Sequence, residues 1–433
     1  MRLPIPLILL ALFITEAEAR GQEARQFCAP ASIAPLADRP VRSVREFGAI
    51  GDGATDDSAA LQAALNGVLP GTVLEFPTGT YAFSRVLTLS RNDVVLRGSQ
   101  ATLQARTPEQ QALIVRGDRA GIVGLTLKGA ATKRLLTLES AQLVIAGRWV
   151  QAVGNTVSGG ASAGIFVDGA RDFRVAGNHV FTTKADGIHV TNGARDGLVE
   201  GNLVHETGDD LIAVVSYRPA TASDSQLARN ILIENNEVWG NTWGRGITVV
   251  GGENVAIIGN SIRRIPAAAG IYLAQERSYR TYGDRHITVA NNVIGDIQTK
   301  LSPSGAAHPR HGAIDINTSN EAPVEFIDVE NNVVDGAGFA GIRLLGEVCH
   351  VRLANNTLKS VRRNGSGRPI DVVRDLFHGG CAGATLRCQG NTNDGKALAG
   401  DDRCNDTVAA EWRDASDQRT APQGVTWASC VPP

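Results

Sequence analysis

Asp209 and Asp210 stand side by side in TGDDLIAVV (207–215), where two carboxylates run straight into a row of apolar residues. Charges at the edge of a segment that reads as buried are costly unless something uses or neutralises them. A third carboxylate, Asp186 in KADGIHV (184–190), precedes a similar strand pattern, with Lys184 two residues before it and His189 three after. Neighbouring carboxyls suit proton transfer at a reacting bond, binding of a hard cation through oxygen, or plain capping of a strand end. Which applies depends on whether the elements carrying them bring them together.

Those elements repeat. A segment of the form apolar-x-(Gly/Asn)-Asn-x-apolar recurs with its second Asn at 155, 178, 202, 236, 260, 292, 332 and 356. The base step is 23 or 24 residues, and the longer steps are that step plus an insertion. In phase with it run short alternating strands: AGIFV (163–167), DGIHV (186–190), DLIAV (210–214), RGITV (245–249), AGIYL (269–273), GAIDI (312–316) and AGIRL (340–344). A period this short leaves no room for a helical pair, and the recurrent leucines of leucine-rich repeats are missing. It fits one coil of a parallel β-helix, in which each coil buries its apolar face against the next. The fold class expected is therefore all-β: a single-stranded parallel β-helix with capped ends. The asparagines read as structural, since Asn tolerates tight turns and bonds to neighbouring backbone. Asn155, Asn178 and Asn260 are accordingly left out of any site.

Stacking turns sequence phase into spatial columns about 4.8 Å apart per coil. The residue before each strand reads Ala163, Asp186, Asp210, Arg245, Ala269, Gly312, Ala340, so Asp186, Asp210 and Arg245 fall above one another. Asp209, offset by one, is expected to point elsewhere. The outward strand position reads Phe166, His189, Ala213, Thr248, Tyr272, Asp315, Arg343. Lys184 and Trp243 precede the charged column by two residues each. Two insertions emerge nearby, after Val215 and after Ala274. They bring Tyr217, Arg218, Glu276, Arg277, Tyr279, Arg280 and Tyr282, rings and charges suited to a hydroxyl-rich ligand. His308 and His311 have a chelating spacing but no third ligand, and read as loop residues.

The chain as a whole sets bounds. Its 433 residues include 48 glycines and one methionine, and its formal charge of −2 offers no basic tract for nucleic acid or membrane surfaces. Residues 1–19 read as a secretory signal, with Arg2, an apolar Leu3–Ile14 and Ala17-Glu18-Ala19 for cleavage. The rest holds no apolar run of the ~20 residues needed to span a bilayer. A secreted or periplasmic monomer, without membrane attachment after cleavage, is expected. Residues 20–40 read as an extension, 41–375 as the β-helix with an N-terminal cap, and 376–433 as a cysteine-rich cap. The N-terminal cap includes an amphipathic helix after Asp56 or Asp57, with Leu61, Ala64, Leu65 and Val68 inward. Six cysteines without any CxxC argue for disulfides bracing the C-terminal cap rather than for zinc.

VREFGAIGDGATDDSAALQAAL (44–65) followed by FPTGTY (76–81) resembles the N-terminal segment of the pectate-lyase superfamily of right-handed parallel β-helices, over roughly residues 41–375. KADGIHV and TGDDLIAVV resemble the catalytic segments of its polygalacturonase and rhamnogalacturonase branch, glycoside hydrolase family 28, which has epimerase-like relatives. The resemblance implies an inverting hydrolase in which Asp209 protonates the leaving oxygen while Asp186 and Asp210 activate water. Such an enzyme needs an acid and a base about 6.5–9.5 Å apart; the columns and insertions themselves offer Lys184, His189, Trp243, Arg245, Tyr272 and Glu276 as sugar-binding residues. Arg245 stands where the family has His, and GIYLAQE (270–276) replaces its uronate-holding Arg-Ile-Lys, which points away from pectin.

Three functions compete at this stage. The first is hydrolysis of a polysaccharide or oligosaccharide without metal or cofactor. The second is β-elimination or C5-epimerisation of a uronate polymer, with Arg245 or Lys184 as base and the aspartates holding Ca²⁺. The third is a non-catalytic glycan-binding scaffold, since fold alone does not decide function.

Overall fold

The repeat read from the sequence sets the architecture. The computed structural model describes residues 28–30, 38–98, 100–219, 226–299, 310–346, 348–363, 368–373, 386–398 and 428–430. Each coil gives one short strand to each of three sheets. In one coil Arg195–Glu200 joins the first sheet, Leu203–His205 the second and Ile212–Val215 the third, each parallel to its counterparts in the adjoining coils. The first sheet runs from Val41–Ser43 to Leu386–Gln389, the second from Asp52–Asp56 to Lys396–Ala397, and the third from Leu87–Leu89 to Ile370–Val373. Alternation sends one apolar set inward. Ile165, Ile188, Ile212, Ile247, Ile271, Ile314 and Ile342 are register partners coil by coil, and all are fully buried. The outward column matches the expected one residue for residue, from Phe166 opposite His189 to Asp315 opposite Arg343.

The recurrent (Gly/Asn)-Asn pair makes the turn between first and second sheets. Its first residue is left-handed, as at Gly154, Gly177, Gly201, Asn235, Gly259 and Asn291, which is why only Gly or Asn occupies it. Its second residue forms a buried ladder along the axis. Asn236 Nδ2 donates to Asn260 Oδ1 at 3.0 Å and to Val199 O at 2.9 Å, while its Oδ1 accepts from the backbone and side-chain nitrogens of Asn202 at 2.9 Å. Asn236→Ala strands several of these buried groups. At about 1–3 kcal/mol for each, the expected loss is about 3 kcal/mol or more, read as a fall in the unfolding midpoint. Asn235→Gly, at the left-handed position, is expected to leave the midpoint unchanged or slightly higher.

The helix Ser58–Gly67 packs Leu61, Ala64 and Leu65 into the same core as Leu74 and Leu87 of the first coils. Asp57 occupies its N-cap position, but the Asp57 carboxylate instead accepts from Ile50 N and Gly51 N at 2.7 and 3.0 Å, and Asp56 Oδ1 takes Ser58 N at 2.9 Å. The coil also continues past residue 375. Leu386–Gln389 and Thr392–Asn393 extend the first two sheets, and Asn391 joins the ladder by bonding Asn356. The cue was QGN at 389–391, masked by the cysteine-rich composition around it. Cys349 and Cys388 each take part in a disulfide. Ala428–Cys430, also in the expected cap, pairs in parallel with Cys28–Pro30; residues 376–385, 399–427 and 431–433, the signal segment and His308 lie outside the described residues. Among the described residues no helix is long and apolar enough to cross a membrane.

Candidate active site

Turns linking the second sheet to the third carry the charged column. Successive turns bond through their backbones: Gly187 N donates to Asp210 O at 3.0 Å, and Leu211 N to Arg245 O at 3.1 Å. Side chains reinforce the stack. Asp186 Oδ1 accepts Asp210 N at 3.1 Å, and Asp210 Oδ1 accepts Arg245 N at 2.7 Å, so each carboxylate pins the backbone of the next coil. Gly244 makes room for this approach. Its φ is +87°, and a Cβ there would sit 2.5 Å from Asp209 Oδ1.

Asp209 does not point elsewhere. One oxygen from each of Asp186, Asp209 and Asp210 lies within 4.8 Å of the other two. The expectation failed because Gly208 and Asp209 lie in a bend, where strand alternation does not govern side-chain direction. Arg134 Nη1 holds Asp209 Oδ2 at 2.6 Å. Asp186 Oδ2 meets His189 Nδ1 at 2.6 Å, and the His189 ring stacks on Phe166 with centroids 4.9 Å apart. Arg245 bonds Glu276, lies 3.8 Å from Asp210 Oδ2 and covers the Tyr272 ring at 4.2 Å.

These groups line an open cavity of about 550 Å³ on the third sheet. Burial pushes the Asp210 carboxyl up to about 8; Arg245 opposes the shift, while Asp186 and Asp209 add to it. Asp210 thus keeps its proton at neutral pH. Each carboxylate of the trio has a protein partner: His189 on Asp186, Arg134 on Asp209 and the Arg245 backbone on Asp210.

Of the residues named from sequence, Asp186, Asp209, Asp210, His189, Trp243, Arg245 and Glu276 line the cavity. Trp243 is 56% exposed at its rim. Lys184 is not among the lining residues; its backbone underlies Gly208. Tyr272 is buried behind Arg245 rather than lining the cavity. From the insertions Tyr217 and Tyr279 contribute, whereas Arg218 and Arg277 are engaged by Glu321. Sequence reasoning missed two residues. Arg134 comes from the irregular segment before Leu143–Ile145, where no repeat position marks it. His311, read as a loop residue, lines the cavity and stacks on Tyr272 with centroids 5.1 Å apart. Burial drives its pKa down to about 4, so it is neutral across the physiological range.

The fold and its turn-borne cavity define a right-handed parallel β-helix protein. A sequence model described as "right handed beta helix region" matches residues 163–358. Comparison with curated protein sequences gives no match. Solved structures with the same fold include an exopolygalacturonase from Thermotoga maritima, at 15% identity and TM-score 0.63, covering 86% of this chain and 94% of that one. The A-module of a mannuronan C-5 epimerase from Azotobacter vinelandii matches at 17% identity and TM-score 0.57, covering 81% and 98%. PfbA, a surface adhesin of Streptococcus pneumoniae, matches at 16% identity and TM-score 0.61, covering 82% and 90%.

Proposed function

We propose that the protein is an extracytoplasmic enzyme that hydrolyses the glycosidic bonds of a polysaccharide or oligosaccharide in the cavity over its third sheet. The observation carrying this reading is the convergence of three carboxyl groups from adjacent turns, one of which, Asp210, burial favours in its protonated form. Hydrolysis needs such a donor for the leaving oxygen, together with a group that takes a proton from water. Asp210 fits the donor role better than Asp209, whose Oδ2 is taken up by the Arg134 guanidinium. Tyr217, Trp243 and Tyr279 at the rim supply ring faces for sugars. Glycan-acting proteins among the fold neighbours agree with this reading. The chemistry requires no metal, and the protein is read as a monomer.

A second reading, elimination or C5-epimerisation on a uronate, draws on Arg134 and Arg245 flanking the trio, where they would neutralise a substrate carboxylate. A panel of neutral and acidic polysaccharides, assayed for reducing ends and for the ultraviolet absorbance of unsaturated uronides, separates the two. Hydrolysis predicts reducing ends without that absorbance, unchanged by chelator. The pH dependence follows from Asp210. The acid works only while protonated, so activity is held below its pKa of about 8 and lost as pH rises through it. Absorbing products sensitive to chelator would favour elimination. Retention of glycans with no change in chain length would favour a scaffold.

A further inference from the structure

We infer that His189, rather than a carboxylate, is the base that takes a proton from the attacking water, with Asp186 holding its ring. The inference rests on the hydrolytic reading of the cavity. Asp186 is committed to holding protein groups: Oδ2 accepts from His189 Nδ1 at 2.6 Å and Oδ1 from Asp210 N at 3.1 Å, which suits it to orient the ring. Asp209 is tied to Arg134 through Oδ2, and Asp210 is the carboxyl that keeps its proton. The trio is also tight. Carboxyls whose oxygens lie within 4.8 Å of one another leave little room for a water between acid and base, which inverting enzymes provide by a separation of ~6.5–9.5 Å.

His189 has what the carboxylates lack. A carboxylate only accepts hydrogen bonds, so the 2.6 Å contact puts the proton of a neutral ring on Nδ1 and leaves the Nε2 lone pair free. Among the described residues no protein group bonds Nε2. The ring lines the cavity, is 8% exposed, and is fixed from one side by Phe166. Asp186 thereby holds both partners of the reaction, the His189 ring on one oxygen and the Asp210 backbone on the other. In the step, Nε2 takes a proton from water as the water oxygen bonds to the anomeric carbon. The glycosidic C–O bond breaks, and the Asp210 proton passes to the leaving oxygen. The imidazolium and the Asp210 carboxylate then exchange protons with solvent, so the net reaction consumes one water.

The test pairs kinetics with a spectrum. His189→Ala, in the full chain and with an unchanged unfolding midpoint, is expected to lower kcat ~100- to 10,000-fold with little change in KM, and added imidazole to restore part of it. His189→Asn serves as the second variant should the first fold poorly. Nitrogen-15 NMR of the histidine-labelled wild type is expected to show His189 protonated at Nδ1 and bare at Nε2. A raised KM with unchanged kcat, or a proton on Nε2, overturns the base assignment while leaving hydrolysis standing. A wild type that cleaves no glycan removes the hydrolytic reading and the base together.

Discussion

Asp210→Asn is expected to yield a protein that is inactive and yet more stable. Loss of the proton donor should reduce hydrolysis by ~100- to 10,000-fold. The stability gain follows from linkage. The carboxyl ionises at 3.8 in the unfolded chain and at about 8 in the fold, so its contribution is fully present below the lower value and lost as pH rises toward the upper one. At neutral pH the buried acid therefore weighs against the fold. An amide carries no such penalty, and its oxygen can still accept Arg245 N. Each unit of pKa difference is worth about 1.4 kcal/mol, so even a heavily discounted shift predicts a gain of at least about 1 kcal/mol at pH 7. Melting curves of variant and wild type should coincide near pH 4 and separate as pH approaches 8, with the variant higher. A variant that melts lower than wild type at pH 7 would show that Asp210 is charged and salt-bridged instead.

Arg245→Ala should act in the opposite direction, costing about 3–5 kcal/mol, as expected when one partner of a largely buried ion pair is removed. Arg245 satisfies Glu276, approaches Asp210 and covers Tyr272, and both its side chain and that of Glu276 are at most one-fifth exposed. Without it Glu276 is left as an unpaired charge in a cavity that Asp186 and Asp209 also line. Adding Glu276→Gln should recover part of the loss, because the orphaned charge goes with it. Arg245→Lys should fall between, keeping the charge but losing the planar contact with Tyr272. Denaturation midpoints of the two single variants and the double variant form the required cycle. Strict additivity would mean that the guanidinium stabilises the fold through packing alone.

The β-helix was legible because its geometry repeats itself in the residues. A left-handed turn demands Gly or Asn, the next position demands an amide that can bond both neighbours, and the strands alternate, so the period surfaces directly. The column of Phe166, His189, Ala213, Thr248 and Tyr272 needed only that period. The site was less legible because phase fixes where a backbone lies, not where a turn side chain points. Asp209 was assigned by alternation to the wrong direction, since it sits on a bend. Tyr272 follows its column faithfully yet is covered by Arg245, a contact between adjacent coils that no spacing announces. Arg134 reaches Asp209 from an irregular segment 75 residues away and occupies no repeat position; His311 holds the same repeat position as Asp209, three residues before the strand isoleucine, where phase places the backbone without aiming the side chain.

Proton NMR of the wild-type protein cleaving a polysaccharide tests the central claim most directly, because it shows which bond breaks and how. A donor at Asp210 and a water activated on the opposite side of the sugar predict a first-formed hemiacetal whose anomeric configuration is the reverse of the bond cleaved, without olefinic signals. An olefinic proton from an unsaturated uronide, or a product that retains the original configuration, would contradict it.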